Sequence, residues 1–521
     1  LAATFLKITR PKLNIEEMPM NLITSSLVRA ALLTAGTFAL LTTGTAMAGN
    51  LKPLPDNVTF SEHVAPILFN NCTRCHRPGE AAPFALMNFD DAKKRSRQIA
   101  EITQKRIMPP WHAEAGHVEY ANERRLTEDQ IALLGAWHQQ GAKQGDPAKT
   151  PALPKFPEGW QLGKPDLILK MPEPFEVYAE GKDIYWNFVF PLNLPEDKWV
   201  RAIEFRPSAR SVVHHALYYI DTSGDARKFD ARDPKQGYNG MSRSNRQFES
   251  LGGWAVGGEA LLLPPELAWH FPTNSDFVIQ THFHPSGKVE HETSTVGIYF
   301  ADKPPTRKFA MLQLPPLFGR LNGISIPAGA TNYTVKDSFV TPVDLEAFSV
   351  SPHAHYLGKT FQLTATPPGG KTQTLLKISN WDFNWQEDCE FKQRIPLPKG
   401  TRLDAVITYD NSAENPNNPT SPPKKVKWGP MSTDEMAALT LSVIPARNED
   451  IAALKKAKRE RSIDLFIDRA LEDTRNTERI QLMKATFDKN SDGKLDAEER
   501  PALRAFLETS GMLKGVTDGG F

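Results

Sequence analysis

Cys72-Thr73-Arg74-Cys75-His76 is a C-x-x-C-H run. That spacing attaches haem c: the thiols add to the vinyl groups along one edge of the macrocycle, and the adjacent histidine reaches the iron. A zinc knuckle would need more cysteine or histidine close by, and the remaining cysteine, Cys389, is far along the chain. For the sixth iron ligand, Met108 stands first, because Pro109 and Pro110 stiffen its loop. Met87 competes, and His63 or His112 would lower the potential. Further on, His214 and His215 are adjacent, His282 and His284 flank Phe283, and His353 and His355 flank Ala354. Residues i and i+2 of a strand share a face, so the second and third pairs can each converge on one ion. His214 and His215 would face apart on a regular strand and can share a metal only where the backbone kinks. A lone histidine is more often a satisfied core or surface group, but this clustering among 13 histidines argues for metal. Imidazole suits Cu, Zn or Fe, and a thioether tilts a site toward copper. Spacing alone does not count the ions.

A calcium-type loop runs from Asp488 to Glu499. Asp488, Asn490, Asp492, the Lys494 carbonyl, Asp496 and bidentate Glu499 fill the oxygen-donor positions of an EF-hand, and Gly493 occupies the sharp turn. Helices are expected at Arg479–Phe487 and Ala497–Glu508. The sequence offers no second loop, so one calcium would be structural, or the hand would pair with another chain.

The elements that must position these groups fall into blocks. Residues 1–48 read as a leader: Arg29, an apolar run too short and Thr-rich to span a bilayer well, then Ala46-Met47-Ala48 as a small-x-small cleavage site. Met18 or Met20 reads as the start, and cleavage would export the protein to the periplasm. Residues 49–145 read as helices: one leading into the haem run, one over Asp90–Ile107, and one capped by Thr127-Glu128-Asp129-Gln130. This block resembles a small class I cytochrome c domain. A Pro-punctuated linker, 146–164, follows. Beyond it, short alternating runs such as Trp186–Phe190, Trp199–Phe205, Phe277–Thr281, Val296–Phe300, Phe361–Ala365 and Leu403–Tyr409 predict tandem antiparallel β-sandwiches, jelly-roll-like, over 165–310 and 311–446. Residues 447–521 read as helical around the calcium loop, and Lys455–Arg461 as a solvated helix face. The fold class is thus multidomain: an all-α haem domain, two β-sandwiches and a helical EF-hand.

Composition agrees with several domains in 521 residues. A net charge of +1 points to no nucleic-acid partner. The haem run takes two of the three cysteines, so no intramolecular disulfide framework is expected, and Cys389 reads as a small buried apolar group. No apolar run after the leader predicts stable membrane insertion.

The motifs of the second half resemble the copper type II, ascorbate-dependent monooxygenases, the peptidylglycine α-hydroxylating and dopamine β-monooxygenase family. His214-His215 matches that family's adjacent pair, Gln280-Thr281-His282-Phe283 its Gln-x-His strand, and Gly253-Trp254-Ala255 its Trp-Ala segment. His353-Ala354-His355-Tyr356-Leu357-Gly358-Lys359 and Ser432-Thr433-Asp434-Glu435-Met436 match its second domain, all in family order. The resemblance implies an electron-transfer copper on His214, His215 and His282, and a dioxygen-binding copper on His353, His355 and Met436. It also implies a solvent cleft between them, with Gln280 beside the chemistry and His284 as an extra group. It departs where peptide-amidating members clamp a substrate carboxylate: Ser351, Ala438 and Thr440 stand there instead, which disfavours a C-terminal glycine peptide.

Together these readings predict a periplasmic haem–copper monooxygenase. Dioxygen and a small organic substrate with an activated C–H are its partners. Electrons come from ascorbate or a periplasmic donor, delivered through a tethered cytochrome whose short linker raises its effective concentration. The alternative is a non-catalytic electron-transfer or copper-handling protein with the same ligands, which a closed cleft or a blocked oxygen position would favour.

Overall fold

The computed structural model describes residues 52–80, 82–156, 159–240, 248–472, 477–492, 495–496 and 498–510, with 472 and 477–480 described by backbone alone. The leader, Gly493, Lys494 and Ala497 lie outside the described residues. Among the described residues, no helix is long and apolar enough to cross a membrane.

The chain is mostly antiparallel sheet. In the first β-unit, one sheet joins Leu167–Lys170, Thr295–Phe300, Lys198–Arg206 and Leu261–Leu262, with Trp269–Phe271 also on Lys198–Arg206. Its partner sheet runs Tyr238–Asn239, Ile184–Pro191, Asp276–Phe283, Val213–Asp221, Glu249–Ala255. Val200, Ile203 and Phe205 from one sheet meet Phe188, Ala216 and Phe277 from the other in a single core. The second β-unit repeats the arrangement. Ala310–Leu314, Ala438–Pro445, Leu345–His353 and Cys389–Leu397 form one sheet, and Tyr333–Val340, Arg402–Tyr409, Gly358–Thr366 and Gln373–Ile378 the other. Phe361, Leu403, Leu439 and Leu441 close its core. Each such side chain contributes roughly 1.5–3 kcal/mol by leaving water. Cys389 is buried as expected, at 4% exposure.

The helical block around the C-x-x-C-H run packs Phe60, Leu68, Leu134 and Trp137 together. Its last helix, Glu128–Gln139, has the expected capping box between Thr127 and Gln130. The single helix expected over Asp90–Ile107 is two, Phe89–Lys94 and Ser96–Gln104. The break falls at Arg95, which leaves the helical region (φ −112°, ψ 6°) and lays its guanidinium 4.3 Å over the Phe84 ring.

This block is not a free tethered module. Ala113 and Tyr120 belong to the second β-unit's core, where Tyr120 stacks on Phe391 at 5.8 Å. Backbone bonds from Glu114 N to Lys377 O (2.8 Å), Ala121 N to Glu390 O (2.8 Å) and Lys392 N to Glu119 O (2.9 Å) sew the segment down. The linker is anchored too, since Gln161 N donates to the buried Glu204 carboxylate at 2.8 Å.

At the C-terminal end, the helix Ile451–Glu472 buries Leu454 in the second β-unit's core and stacks Ile463 and Ile467 on Leu503 and Leu507. The face expected to be solvated is partly spent on the sandwich: Lys458 donates to Met311 O, and Arg461 pairs with the buried Asp337. The helix expected from Ala497 starts at Arg500, with Pro501 in its first turn, where the missing N–H costs nothing.

Candidate metal centre

The kink that adjacent histidines require is present. Strands Val213–Asp221 and Asp276–Phe283 pair His282 with His215, yet the next residue, Phe283, pairs with Val213. His214 is therefore the extra residue of a β-bulge, which re-aims its side chain. His284 N closes the bulge on Val212 O at 2.8 Å. As a result, ligand atoms of His214, His215 and His282 all lie within 4.8 Å of one another. His214 Nδ1 is 3.0 Å from His215 Nδ1, and His282 Nδ1 is 3.4 Å from the same atom. Neutral imidazoles carry one N–H each, so three converging nitrogens cannot all satisfy one another, whereas one cation can use all three lone pairs.

Asp183, at the start of the strand Ile184–Pro191, fixes this set from behind. Its Oδ2 is 3.2 Å from His282 Nε2 and its Oδ1 2.8 Å from His284 Nδ1. It also accepts from Ser432 N at 3.3 Å, tying the first set to the loop that carries Met436. Burial would raise the Asp183 pKa, but the hydrogen bonds from His282, Ser432 and His284 hold it well below the carboxylate range. The His282 Nε2 contact is an ion-pair approach without hydrogen-bond alignment, and the Asp183 charge beside it favours a proton on Nε2, which leaves Nδ1 free to ligate. His284 itself is exposed and spends Nδ1 on Asp183. The Gln280 amide donates to Asn187 Oδ1 at 3.1 Å, a buried cross-strand bond.

The second set is built on strands Leu345–His353 and Ala438–Pro445. Their register pairs His353 with Ala438. Carried two residues on, that register sets Met436 opposite His355. The buried Glu435 carboxylate ties the two segments, accepting from Leu357 N (2.7 Å), His355 N (2.9 Å) and Met436 N (3.1 Å). Met436 is 1% exposed and His355 2%. The tautomers are set here as well: His353 Nδ1 bonds Gln386 Oε1 at 2.5 Å, and His355 Nδ1 bonds the Asp434 carbonyl at 3.1 Å. His353 Nε2 is then buried with no hydrogen-bond partner, as an atom meant for a metal would be.

Burial lowers the pKa of all five imidazoles, to about 3 for His214 and about 4 for His353, and well below the usual value for His215 and His355. They stay neutral at physiological pH, the form that binds metal.

The two sets adjoin, where the resemblance implies a solvent cleft. His215 and His353 ring centroids are 6.4 Å apart. Phe383 packs between them, stacked on His214 at 4.4 Å and 5.7 Å from His355. Apolar burial of this loop aromatic closes the gap.

In the C-x-x-C-H run, His76 Nδ1 bonds Phe84 O at 3.0 Å, which leaves Nε2 for an iron. Cys72 and Cys75 are unpaired thiols, as covalent haem attachment needs. Met108 and Met87 are both half-buried, and His112 packs on Trp381 at 5.4 Å. In the calcium-type loop, Glu499 reaches back to Lys489 N (2.7 Å) and Asp496 N (3.2 Å). Asn490 Nδ2 bonds Asp496 at 3.1 Å, and Asp492 N bonds Asp488 at 3.2 Å. These bonds tie the two ends of the loop together.

Sequence reasoning missed Asp183, Gln386 and Phe383 because strand periodicity carries no signal for partners from other segments. Glu435 stood in a quoted motif, but its clamping role did not show.

No family model matches the chain. It is 22% identical over 363 residues to DBH-like monooxygenase protein 1 of Gallus gallus, covering 63% of this chain and 56% of that protein. The Homo sapiens protein of the same name is 21% identical over 357 residues with the same coverage. The chain therefore spans about half the length of these relatives. The relationship is distant and supports a DBH-like monooxygenase module within this chain. A solved peptide-N(4)-(N-acetyl-β-D-glucosaminyl) asparagine amidase covers 54% of the chain at 11% identity with a TM-score of 0.26, too low to carry any argument.

Proposed function

We propose that this chain is an exported haem–copper monooxygenase that hydroxylates an activated C–H of a small organic substrate. His214, His215 and His282 would hold one copper, and His353, His355 and Met436 a second. Cys72, Cys75 and His76 would carry haem c, with Met108 as the sixth ligand. Asp488, Asn490, Asp492, Lys494, Asp496 and Glu499 would bind a structural calcium. Bound copper would supply one-electron redox chemistry and dioxygen activation, the haem one-electron delivery.

The observation that carries the reading is the His214 bulge, which turns an adjacent pair into two members of a three-nitrogen set. The other residues act on the histidine sets themselves. Asp183, Gln386 and the Asp434 carbonyl hold protons on the outward ring nitrogens. Glu435 keeps the Met436 segment in register with His355. Phe383 packs between the sets. Ser351 donates to Asp388 at 2.6 Å, so the position that clamps a carboxylate in peptide-amidating enzymes faces an acid here. An anionic substrate is disfavoured.

The close approach of His215 and His353 favours a second reading, electron transfer or copper handling without oxygenation. Oxygen uptake by copper-loaded, reduced protein against a panel of small neutral C–H substrates separates them. Substrate-dependent uptake with hydroxylated product supports the enzyme. Full copper loading with no uptake on any substrate supports the second reading.

A further inference from the structure

One loop, Trp381 to Glu387, touches both the C-x-x-C-H block and the two histidine sets. At one end it meets the helical block. A Cβ placed on Gly257 would lie 3.6 Å from the Trp385 ring and 4.0 Å from Cys75 Sγ, so the indole and the thiol flank the same glycine. Gly257 sits at φ +77°, a conformation that keeps a side chain out of this junction. Ion pairs fasten the contact: Arg124 to Glu387 at 3.0 Å, Arg210 to Glu80 at 2.5 Å, and Arg74 to Glu259. At the other end the loop is built into the histidine sets. Phe383, 4% exposed, stacks on His214 with the rings 19° apart. Gln386 holds His353, and Trp381 Nε1 donates to His355 O at 3.2 Å.

We propose that this loop is the electron relay between the haem edge and the copper ligands, with Trp385 and Phe383 as its conducting side chains. The inference rests on the haem–copper reading. One electron leaves the ferrous haem, which becomes ferric, and enters Cu(II), which becomes Cu(I). A reduced one-electron donor of the soluble cytochrome class then restores the ferrous haem. The aromatic rings undergo no net oxidation. The two side chains and the covalent backbone between them replace solvent, through which electronic coupling decays faster.

The test is full-length protein loaded with haem and Cu(II), in which the haem is reduced by a flash-generated donor and its reoxidation followed anaerobically. Trp385→Leu slows reoxidation about tenfold or more, equivalent to ~1.4 kcal/mol of barrier. Trp385→Phe recovers most of the rate, while haem absorbance and the copper EPR spectrum stay as in the parent. A loop that only packs would not distinguish Leu from Phe in the rate. Should Trp385→Leu fail to fold, Phe383→Leu carries the same test from the copper side. A parental rate in whichever variant folds overturns the relay. Absence of any haem-to-copper transfer in the parent protein instead overturns the haem–copper reading itself.

Discussion

Asp183 offers the sharpest test of the first histidine set. Its carboxylate faces His282, His284 and Ser432 N while only 5% of the side chain is exposed. In Asp183→Asn the amide oxygen can take the Oδ2 place, keeping His282 and Ser432 N. The amide NH₂ then meets His284, which is exposed and can shift its tautomer at little cost. What is lost is charge: a hydrogen bond to an ionised group contributes ~1.5–3 kcal/mol against ~0.5–1.5 for a neutral one. Over the retained contacts that amounts to about 2 kcal/mol of folding stability. Asp183→Ala goes further, because nothing then keeps the proton on His282 Nε2 and the ligating tautomer is no longer enforced. Loss of such a supporting group weakens metal binding about 10–100-fold. Copper affinity is read by competition with a chelator, and stability by denaturant titration of the metal-free protein. The expected order is parent, Asn, Ala in both measurements. Ala binding the first copper as tightly as the parent, with an unchanged EPR spectrum, would refute the assignment of Asp183 as the group that orients His282.

Three further outcomes are expected. The metal-free protein loses stability on acidification: with folded pKa values of about 3 for His214 and about 4 for His353, the unfolded chain binds protons first as pH falls below the ordinary histidine value. Each contributes a slope of ~1.4 kcal/mol per pH unit across that window and nothing above it, opposed by the buried Glu435 and Glu387, raised to about 8 and about 7, so the check is ring NMR: a His214 or His353 imidazole protonating at the ordinary histidine value would contradict the buried neutral state. Met436→Ala removes the soft ligand that favours Cu(I) and should abolish turnover while about one copper per chain remains on the first set, a result checked by metal analysis beside oxygen uptake. Replacing both Cys72 and Cys75 by Ala should abolish covalent haem, seen by absorbance after denaturation, and leave the β-sheet circular dichroism intact, because the segment around Tyr120 still packs on Phe391.

Strands were legible because their chemistry is local. Trp199–Phe205 and Leu403–Tyr409 alternate or run apolar between turn residues, and each lies in a strand of a two-sheet core. The need for a kink at His214-His215 was also legible, since period two forbids the pair from sharing a face. Its solution was not, because a bulge depends on the partner strand's register as well as on its own residues. The same limit hid Asp183 and Gln386, which approach from separate segments. The Arg95 break escaped notice because the helical pattern runs through it without a Gly or Pro, and the stack on Phe84 is tertiary. Lys458 and Arg461 looked solvated because a charge run says nothing about a buried acid such as Asp337 waiting opposite.

The sewn-down helical block changes how electrons would be supplied. A flexible tether would deliver electrons at a rate set by effective concentration and by the encounter of two surfaces. Here Tyr120, the backbone bonds to Lys377 and Glu390, and the Arg124–Glu387 pair hold the block against the second β-unit. Under the haem–copper reading the internal transfer then occurs at fixed distance and needs no docking step. On the same reading an external donor would have to reach a haem whose Cys75 side faces Gly257 and Trp385. Entry and exit of the electron would use different edges of the same group, so salt should slow reduction by a charged external donor, through screening of the encounter, and leave the internal step unchanged. Internal transfer as salt-sensitive as the external step would mean that the block undocks in solution and works as a tether after all.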